Sequence, residues 1–524
     1  MKSVLFVASE ALPFVKTGGL GEVVGSLPKE LNRQGADVRV VLPKYGDIPS
    51  EWRDKIVHIY DTNVYVGWRK QHCGLAKLEH DGVTYYFIDN ESYFKRPGYY
   101  GYYDDAERFA FFCRAVLEVL PHMDFKPEII HCHDWQTAIL PVLLKAHYSH
   151  IEEYRRLRTV VTIHNLQYQG IFDSVVVGDL LGLNEEYYFT SDKLEFYGRA
   201  NFLKGGIVFA DAVTTVSESY AWEITTYEGG KQLDGVLHSR QDNLYGILNG
   251  IDYEYYDPEH DDFIDVPYGQ ASLEHKTENK LKLQERLDLK VDANIPLVGI
   301  ASRLVAAKGL DLIAGVLDEI MSLDVQLVIL GTGESYYEDQ VRWAKSRYPD
   351  KIAANIFFDE AFSRRIYAGA DIYLMPSLFE PCGISQLIAM HYGAVPIVRA
   401  TGGLKDTVQP YSEQSKTGNG FCFFDYNAHE MLYTIEKAVA YYKDPELWQK
   451  IVHNGMAADY SWRRSAEKYL AVYDELVVKA DLEEKQAREQ EPEPVDLDWG
   501  NLVAMTLPPE QIPAEFEVEM TMTV

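Results

Sequence analysis

The feature that most constrains this chain is a double alternation. Short runs rich in Val, Ile and Leu recur with a helix-length stretch after each, once over residues 3–217 and again over residues 296–400. Strand–helix–strand repetition of this kind implies a parallel sheet. The first series holds "SVLFVAS", a helix over residues 22–34, "DVRVVLP", a helix near residues 107–120, "EIIHCHD", a helix from Trp135, "TVVTIHN" and "AVTTVS". Between Val57 and Ile88 the runs become closely spaced and rich in Tyr and Val, which predicts a hairpin-rich insertion. The second series holds "PLVGIAS", "VQLVIL", "KIAANIFF", "DIYLMPS" and "VPIVRA". Between the two series lies the polar, acidic "NGIDYEYYDPEHDDFIDVPYG", which has little periodicity and marks a domain boundary. The division expected is therefore an N-terminal α/β domain over residues 1–250, a C-terminal one over residues 251–478 closing on a helix near residues 465–479, and a disordered acidic, Pro-rich tail over residues 479–524. Two doubly wound sheets in tandem leave a cleft between the carboxyl ends of their strands, where ligands are expected.

Composition narrows the function classes. With 524 residues, 47% of them hydrophobic, a large buried core is expected. Five scattered cysteines form neither a C-x-x-C pair nor a dense framework, so zinc ribbons and disulfide scaffolds are not indicated and a reducing, cytoplasmic compartment fits. "MKSVLFVASEALPFV" reads as a first strand in place of a secretion signal, because Ser9 and Glu10 interrupt the apolar run and no small-residue cleavage site follows. No run of about 18 apolar residues predicts a membrane span. The formal charge of -30 argues against nucleic acid as a partner, since that binding neutralises phosphates. An anionic substrate would have to be met by local Lys and Arg clusters.

Four motifs supply such clusters. In "KTGGLGEV", Lys16 and the Gly18–Gly19 turn lie between strand and helix, where backbone approaches a phosphate or sugar hydroxyl closely; an ordinary tight turn uses the same glycines. The spacing is neither a Walker lysine loop nor G-x-G-x-x-G, so no dinucleotide dehydrogenase is indicated. In "ASRLVAAKGLDLI", Arg303 and Lys308 flank a helix start after a strand, placed to converge on a diphosphate or else to solvate the surface. In "PSLFEPCGISQL", Glu380 sits in a polar loop and Gly383 opens a helix, with the second glycine pair "TGGL" after the next strand. "HCHDWQ" and "TIHNLQYQGIF" end two first-series strands; Asp134 and His164 read as sugar-facing groups, with a packed core histidine as the alternative. His131 and His133 share a strand face but have no third ligand in view, so no metal is assigned. "RPGYYGYYDD" (residues 96–105) offers Tyr rings to an acceptor sugar or to loop packing.

Taken in order, "KTGGLGEVVGSLP", "HCHDWQ", "TIHNLQYQGIF", "GILNGID", "RLVAAKGLDL", "PSLFEPCGISQL" and "TGGLKDTV" cover residues 1–478, and the chain resembles the bacterial members of the ADP-glucose-dependent glycogen/starch synthase family. The resemblance implies a GT-B architecture, two Rossmann-like domains facing across a cleft, the first on the acceptor side and the second on the nucleotide-sugar side. It implies retaining transfer of glucose from ADP-glucose to the non-reducing end of an α-1,4-glucan (glycogen or a maltooligosaccharide), with no cofactor or metal required. By the same resemblance Lys16, Gly18 and Gly19 bind donor, Arg303 and Lys308 hold its diphosphate, and Glu380, Cys382 and Gly383 lie against its sugar and phosphates. Asp134 and His164 contact the glucose from the opposite domain. One clear carboxylate, Glu380, is in view where a retaining glycosidase uses a flanking pair, and the resemblance implies a front-face attack with the leaving phosphate accepting the acceptor's proton. Two departures stand out: Glu22 where many relatives carry Asp, and "RLVAAKG" without the usual Thr and Gln. A UDP-glucose-dependent synthase and a glucan-binding or regulatory homologue without turnover remain as alternatives on fold grounds.

Overall fold

The computed structural model describes residues 2–490. The first alternation folds into a nine-stranded sheet in the order Leu244–Gly246, Ala212–Thr215, Arg158–Ile163, Ile129–His133, Ser3–Val7, Asp37–Pro43, Val83–Asp89, Arg69–His80, Val57–Val66. Neighbours are parallel up to Val83–Asp89, and the last two pairings are antiparallel. The hairpin-rich insertion is thus the far edge of the same sheet. The second alternation gives six parallel strands in the order Ile352–Asn355, Gln326–Leu330, Leu297–Ala301, Ile372–Met375, Val395–Arg399, Phe421–Phe423. A small antiparallel sheet of Ile171–Asp173, Arg199–Asn201 and Glu195–Phe196 has no counterpart in the expectations, its strands being only two or three residues long.

Sheet order decides where a ligand fits. In the first sheet the chain runs from Ser3–Val7 to one side and later returns to build the other from Ile129–His133. In the second it does the same between Leu297–Ala301 and Ile372–Met375. Connections leaving these paired strands diverge to opposite faces and open a crevice at the carboxyl ends. The four loops concerned contain Lys16, Asp134, Arg303 with Lys308, and Glu380. This is the two-domain GT-B architecture.

Each sheet has its own buried core. Leu5, Val40, Ile130 and Val161 are fully buried in the first, while Leu297, Ile372 and Ile397 are fully buried in the second. The terminal helix departs from expectation in two ways. Its place in the sequence groups it with the second domain, yet Trp462, Ala466, Tyr469, Val472, Tyr473 and Leu476 pack into the first core. It also runs over Trp462–Gln490 and not 465–479, so residues 481–490, grouped with the disordered tail, are helical. The reason is local: "DLEEKQAREQ" consists mostly of strong helix formers and meets no breaker before Pro492. The rest of the acidic tail, residues 491–524, lies outside the described residues. Among the described residues no helix is long and apolar enough to cross a membrane.

Candidate active site

At the first crevice, the loop after Ser3–Val7 is organised by a residue that no motif singled out. Glu10, 3% exposed, accepts hydrogen bonds from Thr17 N and Thr17 Oγ1, each at 2.6 Å, and from Tyr100 Oη at 2.6 Å. Tyr100, from the Tyr-rich loop, also meets Ser9 Oγ at 2.8 Å. So pinned, the chain enters helix Gly19–Arg33 with Gly18 as its exposed cap. A Cβ on Gly18 would meet nothing within 4 Å, and one on Gly19 would lie 3.4 Å from Ile384 of the second half. Lys16 Nζ is 2.6 Å from Glu22 and 3.9 Å from Glu360 across the crevice. Glu22 also accepts from Tyr256 Oη at 3.2 Å.

On the other side of the crevice, Asp134 follows strand Ile129–His133 with φ of 57°, a strained conformation for a residue with a Cβ. That twist lets its Oδ1 accept from His164 N at 2.7 Å. Burial pushes the Asp134 carboxyl up to about 7, against the N–H groups of His164 and Asn165 that favour its charge and with the Glu10 carboxylate adding repulsion. His164 is held neutral, its pKa lowered to about 3 by burial. Its Nε2 meets His133 Nδ1 at 3.0 Å. His131 bonds Tyr473 Oη at 2.8 Å and Thr162 Oγ1 at 2.5 Å, and its ring stacks on His133 at 4.3 Å. The histidine pair is thus a hydrogen-bonded stack beneath the site. Among the described residues no three His, Cys, Asp or Glu side chains group as a metal site.

At the second crevice, Lys308 ends a short turn after strand Leu297–Ala301 and places Nζ 2.6 Å from Glu380 Oε2, to which Ser377 Oγ also donates at 3.1 Å. Gly309, at φ 72°, allows this approach: a Cβ there would stand 2.0 Å from Pro376 O. Arg303, in the same loop as Lys308, is exposed. Gly383 has φ of 72° and no room for a Cβ, which would meet Gln386 Oε1 at 2.4 Å. Cys382 is a buried residue, 4% exposed and packed with the first core, and burial pushes its thiol up to about 12. The "TGGL" pair also has a packing reason: Cβ atoms on Gly402 and Gly403 would lie 2.1 Å from Glu380 O and 2.2 Å from Cys382 O.

The two crevices face each other. Buried Tyr220, whose hydroxyl accepts from Leu166 N at 3.0 Å, has its pKa raised by burial and by the negative charges of Asp134, Glu223 and Glu380 together. The two halves meet here at Gly19 and Ile384, at Lys16 and Glu360, and at Ser217 and Pro381. A separate cavity of about 720 Å³, lined by Asn249, Lys405, Gln409, Tyr460 and Arg464 among others, contains none of them. In the Tyr-rich loop, Tyr100 braces Glu10 and Tyr103 is 97% exposed.

Comparison with known proteins agrees with this layout. Residues 3–239 match the starch synthase catalytic domain, and residues 283–455 match glycosyl transferases group 1. The glycogen synthase of Desulforamulus reducens is 54% identical over 478 residues, covering 91% of this chain and 99% of that protein. The glycogen synthase of Geobacillus stearothermophilus is 53% identical over 476 residues, covering 91% and 98%. Among solved structures, the catalytic domain of starch synthase IV from Arabidopsis thaliana bound to ADP and acarbose superposes with a TM-score of 0.85 at 35% identity, covering 91% of this chain and 99% of that one. Sucrose-phosphate synthase from Thermosynechococcus elongatus shares the fold alone, at a TM-score of 0.59 and 17% identity. Matched over nine-tenths of its length at more than half identity, and carrying its charged groups at both sheet crossings, the chain belongs to the glycogen synthase family of GT-B glycosyltransferases.

Proposed function

We propose that this chain extends an α-1,4-glucan such as glycogen at its non-reducing end, taking glucose from ADP-glucose with retention of configuration. The observation that carries the proposal is the Lys308–Glu380 pair, 2.6 Å apart at the carboxyl ends of the second sheet's strands. In the proposed reaction ADP departs with charge developing on its β-phosphate oxygen. Lys308 and Arg303 meet that charge, with Lys16 and the N–H groups of the Gly18–Gly19 turn approaching from the opposite side; preorganised donors at this position lower the barrier without a metal. The acceptor hydroxyl attacks on the face the phosphate leaves, and the phosphate oxygen takes its proton. Neutral His164 donates a hydrogen bond to the transferred glucose, and Asp134 orients it. Glu380 is engaged by Lys308 and Ser377, which favours a role in holding the cation and the donor over nucleophilic attack. The arrival of ADP and an acarbose in the starch synthase IV structure supports a nucleotide and a glucan as the two ligand classes.

The test is nucleotide release with glycogen as acceptor, from ADP-glucose and from UDP-glucose, for wild type and Lys308→Ala. Release from ADP-glucose with chain extension is expected, with kcat at least about 100-fold lower in the variant, the effect of removing one preorganised donor. Preference for UDP-glucose would overturn the donor assignment. Glycogen binding without release from either donor would overturn the transferase reading.

A further inference from the structure

The helix Glu218–Glu223 and its cap Ser217 follow first-half strand Ala212–Thr215 and touch both sides of the site. Toward the first half, Tyr220 Oη accepts from Leu166 N at 3.0 Å, two residues beyond His164. Toward the second, Ser217 Oγ donates to Pro381 O at 2.6 Å, next to Glu380. One turn on, Glu223 Oε1 accepts from Gly402 N at 2.8 Å, and both of its carboxylate oxygens lie 3.4 Å from Thr401 Oγ1.

What Glu223 holds is the back of the Glu380 loop. Gly402, at φ 46°, is packed so closely that a Cβ would stand 2.1 Å from Glu380 O, and Gly403 N donates to that same oxygen at 3.2 Å. Contacts therefore run without a gap from Glu223 through Gly402 and Gly403 to the Glu380 backbone, and from Tyr220 on the same helix to the turn after His164. A carboxylate accepting from a backbone N–H makes a charge-assisted bond, stronger than a neutral one and suited to fixing one loop against another.

We infer that Glu223 is a positioning residue: it anchors the Thr401–Gly402 turn across the two halves and so fixes Glu380 and its partner Lys308 relative to Asp134 and His164. Both Glu223 oxygens are engaged by Thr401 and one also by Gly402, so it acts through that turn. Its contribution is to the geometry of transfer, and misplacement of a reacting group by about 1 Å is enough for a loss near 100-fold. The inference rests on the transferase reading above.

The experiment is steady-state kinetics with ADP-glucose and glycogen on wild type and on Glu223→Ala, Glu223→Asp and Glu223→Gln, with melting temperatures alongside. Glu223→Ala and Glu223→Asp, which remove or withdraw the acceptor, are expected to lower kcat by at least about tenfold, equivalent to about 1.4 kcal/mol of barrier, with the donor KM changed less than threefold. Glu223→Gln keeps an oxygen for Gly402 N and is expected to restore kcat to within about threefold of wild type. If Glu223→Ala fails to fold, Glu223→Asp carries the test. Wild-type kcat in Glu223→Ala and Glu223→Asp, an equal loss in Glu223→Gln, or a loss expressed only in KM or melting temperature would overturn the inference. An inactive wild type would instead overturn the transferase reading.

Discussion

Asp134 shows how one residue in this site links fold and chemistry. Its φ of 57° costs on the order of 1–3 kcal/mol, yet it turns the carboxylate onto His164 N and away from the strand. Its carboxyl stays protonated up to about pH 7 in the folded chain, against about 3.9 in an unfolded one. Between those values the folded state holds a proton that the unfolded state has lost, so this residue's contribution to stability declines as pH rises through the window. His131, His133 and His164 act in the opposite sense. Burial holds them neutral, unfolding lets them protonate below about pH 6.5, and the stability they support is lost as pH falls. Comparing wild type with Asp134→Asn leaves the histidines common to both. The urea midpoint of Asp134→Asn should therefore gain on that of wild type as pH is raised from 5 to 8; parallel curves would show that the carboxyl titrates normally.

At the scale of elements, the two glycine pairs look alike in sequence and differ in physics. Gly18 opens toward the crevice at φ -168°, extended backbone that any residue adopts, with nothing for a Cβ to strike. Gly402 sits in the left-handed region against the Glu380 carbonyl. Gly402→Ala should lower the unfolding free energy by at least about 2 kcal/mol, adding overpacking to a strained φ, while Gly18→Ala, which meets nothing and loses only the cap preference for Gly over Ala, lowers it by about 1 kcal/mol at most. Chemical denaturation of the two variants checks the contrast. It also marks the limit of what the sequence discloses. The alternation of strands and helices was legible because both sheets are built from short buried runs with strong periodicity, and the place of Lys16, Asp134, His164, Arg303, Lys308 and Glu380 in the loops after strands was legible because each follows such a run. Glu10, Ser217, Tyr220 and Glu223 were not. Their distant partners are brought near only by the fold: Glu223 meets Gly402 across 179 positions of sequence, Ser217 meets Pro381 across 164, and Glu10 meets Tyr100 across 90, besides its near neighbour Thr17. The one local hint for Glu10 was a carboxylate at the end of a buried apolar run, which also reads as an ordinary strand end.

At the scale of the whole molecule, the chain crosses between halves twice, and the crossings run side by side. Ile251 N donates to Tyr460 O at 2.9 Å, and Gly250 lies so close to the returning strand that a Cβ would be 2.6 Å from Trp462 N. Past that point the helix leaves the second half and buries Trp462, Tyr469 and Tyr473 in the first core, where Tyr473 also bonds His131 under the site. The first core is therefore incomplete until the second half has been threaded and its helix returned. That arrangement predicts joint unfolding: calorimetry of the wild type should give one transition, because melting either half withdraws or strands the helix. Tyr469, fully buried, is the residue whose loss separates the two. Tyr469→Ala should destabilise the first core by about 3–5 kcal/mol, as for other large buried aromatic truncations, without touching the second. The endotherm should then split, with loss of transferase activity following its earlier component. A single transition, shifted as a whole, would mean that the crossings and the contacts between halves couple the domains without the helix.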